Sequence, residues 1–127
     1  MQELQPSQLA RMTQIDYDRE MAFIAVRQRD DGHDETLGVV RAVADPDNQD
    51  AEFAIIIRSD LKGMGLGQML MGKLIDYFRH RGTKRIVGET LPDNHALLDL
   101  VRGFGFDAHF EPSQETVELR LDLQTLS

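Results

Sequence analysis

Apolar positions along the chain switch between two periods, and the switches mark its elements. Residues 21–28 and 36–44 are β-branched, apolar-rich runs separated by a polar loop over 30–35 with Gly32 inside it, a pattern that predicts a β-hairpin. The turn-rich stretch Asp45-Pro46-Asp47-Asn48-Gln49 leads into residues 51–58. Their centre, Phe53-Ala54-Ile55-Ile56-Ile57, is too uniformly apolar for an edge strand and predicts a central one. Beyond Gly63, Gly65 and Gly67 the period lengthens. Leu66, Leu70, Leu74 and Phe78 recur every fourth residue with Met69 and Tyr77 beside them, the stripe of a helix lying on a sheet. Arg79, His80 and Arg81 suit the last turn of that helix, and Gly82 supplies a left-handed stop. Residues 84–90 read as a strand. Residues 92–104 read as a helix opened by Pro92 and Asp93, with Leu97, Leu98, Val101 and Phe104 inward and Gly105 as its stop. Residues 106–110 and 117–123 form a last pair of strands. At the start, Ser7 fits as the N-cap of a short helix over 8–15, where Leu9, Met12 and Ile15 fall at helical spacing.

The order is therefore helix, three meandering strands, helix, strand, helix, two strands. It predicts an α/β fold with a mixed, mostly antiparallel central sheet and helices on both faces. A chain of 127 residues with 41% hydrophobic content can build one two-layer core, so a single domain over 1–127 is expected, without repeats or linkers. No apolar run approaches the roughly 20 residues that cross a bilayer, and the first residues lack the basic and apolar regions of a signal peptide. There is no cysteine, which excludes disulfides, thiolate nucleophiles and cysteine-built zinc sites. The expectation is a cytoplasmic protein with no membrane partner. A formal charge of -8 argues against a nucleic-acid partner, because phosphate contacts require a clustered basic surface. His33, His80, His95 and His109 have no spacing that sets two on one helical face, so no metal is expected.

Candidate chemistry concentrates in the segment Lys62-Gly63-Met64-Gly65-Leu66-Gly67-Gln68. It joins the central strand to the start of an amphipathic helix, where unpaired backbone N–H groups and the positive dipole end favour an anion. A tight connection without any ligand is the plainer alternative for glycines alone. A dinucleotide fingerprint fails twice, since Gln68 stands where a third glycine should follow Gly63 and Gly65, and Leu70 where one should follow Gly65 and Gly67. Residues 67–73 spell G-x-x-x-x-G-K, but Leu74 replaces the Ser/Thr that would hold magnesium, and the segment carries the helical stripe.

With Lys62, Gly65 and Gly67 in order, the loop resembles the Q/R-x-x-G-x-G/A pyrophosphate loop of the GCN5-related N-acetyltransferases (GNAT). Lysine at the first position keeps a positive donor but not the planar fork of arginine. A second signature of that superfamily matches Asn94-His95-Ala96-Leu97-Leu98-Asp99-Leu100 followed by Gly105-Phe106, although Asn94 read alone is a helix cap. More narrowly, residues 13–22, Ala51-Glu52-Phe53-Ala54, residues 58–63 and Ile86-Val87-Gly88-Glu89 look like the acetyltransferase domain of bacterial protein lysine acetyltransferases, which modify acyl-CoA synthetases at an active-site lysine. The resemblance covers nearly the whole chain from Leu9 onward. It implies acetyl-CoA as co-substrate and a protein lysine, on an acyl-CoA synthetase, as acceptor. It also implies that the family's first strand and first helix are absent, as is the large synthetase-like region of some members, so that the chain corresponds to an excised C-terminal domain.

The resemblance further assigns Glu52 as general base and the backbone of Ile55, Ile56 and Ile57 to the pantetheine and the thioester oxygen. It gives the coenzyme phosphates to Lys62, Gly63, Met64, Gly65, Leu66, Gly67 and Gln68, and a further contact to Asn94. A lysine amine is mostly protonated near neutral pH, so transfer needs a positioned base. A carboxylate at the head of an apolar strand is expected to be partly desolvated, which raises its pKa towards that use. The charge pattern alone instead favours Glu52 simply beginning the strand in solvent. From Glu52 to Arg58 an extended strand covers about 20 Å, enough for a pantetheine arm to run along it. The tyrosine that many superfamily members use as general acid falls on Val101 here, and no general acid is assigned. Glu89 and Asp93 could line the acceptor side. Two other readings stay open: transfer to a small-molecule amine, and a sensor module that binds acyl-CoA without turnover.

Overall fold

The computed structural model describes residues 11–16, 18–58 and 65–124. Its elements in chain order are β1 (Arg11–Asp16), β2 (Glu20–Gln28), β3 (Asp34–Ala44), β4 (Asp50–Ile57), α1 (Leu66–His80), β5 (Arg85–Thr90), α2 (His95–Gly103), β6 (Asp107–Glu111) and β7 (Thr116–Asp122). All strands join one sheet in the order β1-β2-β3-β4-β5-β7-β6. Every pairing is antiparallel except β4 with β5. The mixed sheet and the central place of β4, fourth of seven, are as expected.

One element differs in kind. A helix was expected over 8–15; residues 8–10 lie outside the described residues, and Arg11–Asp16 form β1, paired with Met21–Val26 of β2. Two apolar residues three apart are too few to separate the helical period from the strand period. Pairing with the edge of β2 satisfies the backbone of 11–16 without the nucleation cost of an isolated two-turn helix. Among the described residues the element before β2 is a strand.

Alternation along the strands divides the sheet. Val40 and Ala42 of β3, Ala51 and Phe53 of β4, Ile86 of β5 and Leu119 of β7 point to one face and are buried. The α1 residues Leu66, Leu70, Met71, Leu74, Ile75 and Phe78 and the α2 residues Leu98 and Val101 close the same core. Helices on both faces were expected, yet both described helices share this one. The connections β4-α1-β5 and β5-α2-β6 each join parallel strands and move the same way across the sheet. Right-handed crossovers in one direction necessarily stack on one side. The opposite face carries Arg41, Val43, Glu52, Ala54 and Ile56, all exposed, with Ile56 at 74%. Among the described residues no helix is long and apolar enough to cross a membrane.

Candidate active site

The parallel ladder between β4 and β5 is short. Asp50, Ala51 and Glu52 pair with Arg85, Ile86 and Val87, and there it stops. Beyond it β4 continues beside β3 as far as Ile57, while β5 continues beside β7 as far as Thr90. The two central strands therefore part like the tines of a fork. Among the described residues, the backbone groups of residues 53–57 that face β5 have no strand to bond.

A ring sits at the parting point. A Cβ placed on Gly88 would lie 2.5 Å from Cε1 of Phe53, so glycine is what lets that ring pass beneath β5. Phe53 leans on Phe106 with ring centroids 5.6 Å apart. On the paired side, Nε of Arg85 donates to Oδ1 of Asp50 at 2.5 Å, and this carboxylate pushes the guanidinium pKa further up.

A cavity of about 720 Å³ fills the opening between the tines. Ile55, Ile56 and Ile57 form one wall, Gly65, Gly67 and Gln68 at the start of α1 a second, and Asn94, Ala96, Leu97 and Leu100 of the α2 region a third. Helix α1 begins at Gly65, whose φ of 83° only glycine adopts without strain, and it has neither a side-chain cap nor an acidic residue in its first turn. Among the described residues, no side chain caps its first N–H groups. Gly67 has a packing role as well: a Cβ there would lie 3.2 Å from Cδ2 of Leu100, so the two helices approach closely only because it has no side chain.

Of the residues read from the sequence, Ile55, Ile56, Ile57, Gly65, Gly67, Gln68 and Asn94 line this one cavity. Leu66 instead is buried in the core. Lys62, Gly63 and Met64 lie outside the described residues. Asn94 is the N-cap of α2: its Oδ1 accepts from Leu97 N at 3.2 Å and its Nδ2 donates to Thr90 Oγ1 at 3.0 Å. The cap reading therefore holds, and one amide hydrogen and one lone pair of that side chain remain for anything else.

Glu52 stands in a second cavity, of about 730 Å³, on the open face of the sheet. Its side chain is exposed, so the partial burial expected at the strand head is not found. The reason is alternation: Ala51 and Phe53 turn into the core, which turns Glu52 out. The two cavities lie end to end along β4, one walled by Phe53 and Ala54 and the other by Ile55. Sequence reading missed Arg19, Arg41 and Asp45 in this second cavity; β3 residues are marked only by the hairpin's alternation, and Arg19 by nothing local.

Val101 is fully buried under α2. Tyr77 is committed elsewhere, edge-on to Phe23 and Phe78 and accepting from Arg81 Nη1 at 2.8 Å, and Tyr17 lies outside the described residues. Glu89 and Asp93 are exposed and line neither cavity. Among the described residues no three His, Cys, Asp or Glu side chains gather as metal ligands.

Comparison with known proteins gives a consistent picture. The model of the Acetyltransferase (GNAT) family matches residues 2–106. An acetyltransferase of Pseudomonas aeruginosa is 32% identical over 116 residues, which are 91% of this chain and 62% of that protein. Among solved structures, a cAMP-binding acyltransferase from Mycobacterium smegmatis superposes with a TM-score of 0.70 at 25% identity, over 87% of this chain and 33% of that one. The GNAT domain of S. lividans PAT superposes with a TM-score of 0.69 at 21% identity, over 84% of this chain and 64% of that one. The chain thus spans less than two thirds of the length of each of these relatives.

Proposed function

Because this chain belongs to the acetyltransferase (GNAT) family, we propose that it transfers an acetyl group from acetyl-CoA to the side-chain amine of a protein lysine, on an acyl-CoA synthetase, with Glu52 as general base. The observation that carries the reading is the pair of cavities lined by consecutive stretches of β4: one reaches a helix start with no side-chain cap among the described residues, the other holds a carboxylate. Coenzyme phosphates at the start of α1 would place the pantetheine along the unpaired edge of residues 55–57. The thioester would then lie near Ala54, with the acceptor amine arriving over the open face. Each volume is of the size that encloses a small ligand.

The chemistry follows from that placement. Glu52 takes a proton from the ammonium, directly or through one water, and the freed nitrogen attacks the thioester carbonyl carbon. Backbone N–H groups of the open tine hold the oxygen as it becomes an oxyanion. As the adduct collapses, its nitrogen gives up a second proton to solvent, the C–S bond breaks, and the coenzyme leaves as thiolate. Thiols have reference pKa values near 8.5, so this leaving group departs without a dedicated acid. The exposure of Glu52 leaves its carboxylate open to an amine arriving over the face of the sheet. A lysine acceptor is supported by the sequence blocks shared with protein lysine acetyltransferases. The second cavity's modest volume favours a small amine as the competing acceptor.

The test uses two readouts. Calorimetry should find coenzyme A bound, and Glu52→Gln should lower turnover on the best acceptor by about 10² to 10⁴-fold while coenzyme affinity stays within a factor of a few. Full turnover in that variant removes Glu52 from the mechanism. Labelling of small amines alone removes the protein lysine. Tight coenzyme binding without transfer to any amine leaves only the sensor.

A further inference from the structure

The cavity around Glu52 carries more charge than a base alone requires, and most of it is matched internally. Arg41 Nη2 lies 2.5 Å from Glu20 Oε1. Asp50 is taken by Arg85 at 2.5 Å. The Asp45 carboxylate accepts from the backbone N–H of Gln49 at 2.8 Å and of Asp50 at 3.3 Å, closing its own turn. With these set aside, two charged side chains in the cavity wall have no partner among the described residues: the Glu52 carboxylate and the Arg19 guanidinium, both exposed.

Strand register sets their separation. Glu20, next to Arg19 in the chain, stands opposite Val43, and Val43 stands opposite Glu52. Two strand spacings, about 10 Å, therefore divide the two positions, and the long arginine side chain can shorten the gap. The cavity thus presents one free anion and one free cation to whatever enters it.

We infer that Arg19 is a specificity-determining residue that holds a carboxylate of the acceptor while Glu52 receives its amine, so that the acceptor is dipolar, with the two groups several bonds apart. The inference rests on the reading of Glu52 as base. Two arguments support it. An acceptor bringing only an amine leaves the guanidinium unmatched, whereas a carboxylate suits its planar fork. A net charge of -8 also repels anionic acceptors as a whole, so their capture needs a local cation beside the reacting site. The same chemistry can come from an acidic residue next to an acceptor lysine in a protein, or from the carboxylate of a free amino acid.

The experiment measures kcat/KM with acetyl-CoA for two matched pairs: a lysine peptide followed by Asp against the same peptide with Asn, and 6-aminohexanoate against hexylamine. The member with the carboxylate should be preferred about tenfold in at least one pair, through KM rather than kcat. Arg19→Gln should abolish the preference by raising KM for the carboxylate-bearing member to that of its carboxylate-free partner, and Arg19→Lys should keep part of it. Since that side chain is exposed and unpaired among the described residues, the variants should unfold at the wild-type temperature. Equal rates within both pairs, or a preference that survives in Arg19→Gln, overturn the inference and leave the base untouched. Preference in the free-amine pair alone sinks the protein lysine while Arg19 stands. No transfer to any of the four, with coenzyme bound by calorimetry, overturns both.

Discussion

Asp50, Ala51 and Glu52 pair with Arg85, Ile86 and Val87 as an ordinary parallel ladder, whereas residues 53–57 run on with β3 as their single strand neighbour. In the paired half, Ala51 and Ile86 are fully buried and a cross-strand ion pair closes the end. In the parted half, Ile56 is 74% exposed and a cavity takes the place of a neighbouring strand. The difference is made at one point, where the Phe53 ring occupies the room left by the missing side chain of Gly88. A fork in a sheet needs a wedge at its base. Without one, two strands already in register for three residues would go on pairing. The open edge of β4 is thus a consequence of core packing.

The sharpest way to break this contrast is to remove the wedge. Phe53→Ala empties a buried site that also supports Phe106, and it should cost about 3–5 kcal/mol in denaturant unfolding. A loss below about 1 kcal/mol, well under what ring deletion costs elsewhere, would mean that the ring does not hold the fork open. A smaller effect comes from the other side. Gly88→Ala drives a methyl against the ring, and overpacking of this kind costs about 1–3 kcal/mol. Combining it with Phe53→Leu should give less than the sum of the two losses, because the smaller side chain leaves room for the methyl. Strict additivity in that cycle would separate the two positions.

How far all this could be read from the chain depends on the range of the interaction responsible. The hairpin of β2 and β3, the four-residue stripe of α1 and the caps at Gly82 and Asn94 are local patterns, and they were legible. The strand β1 was not, because its identity comes from pairing with β2 rather than from its own spacing. The uniformly apolar run 53–57 gave the central place of its strand, but not that Ala54 and Ile56 turn out to the open face. The charge pattern alone set Glu52 in solvent at the strand head, and it is exposed there; the desolvation expected from its apolar neighbours is what failed. The fork was illegible for the same reason as the place of Arg19 in the second cavity. Phe53 and Gly88 lie 35 residues apart, and no spacing rule links them.

The far end of the open tine offers the most delicate test. Beyond Ile57, Arg58 donates its backbone N–H to Leu37 O at 3.0 Å, and its Nη1 lies 2.9 Å from Glu35 Oε2. Arg27 donates to the other carboxylate oxygen, with Nε at 2.7 Å. The hydrogen bond from Arg27, opposed in part by desolvation and aided by the charge of Arg58, holds the Glu35 pKa below its usual 4.5. A carboxyl lowered in the folded state stabilises above its unfolded pKa and loses that contribution as pH falls through the folded value. Stability of the wild type should therefore drop below about pH 4.5 more steeply than that of Glu35→Gln, while at pH 7 the variant is the less stable of the two. Because the pair anchors the tine and not the ladder, hydrogen exchange at residues 55–57 should rise on acidification before that at residues 50–52. Simultaneous loss of protection in both halves would show that the fork opens and closes as one unit.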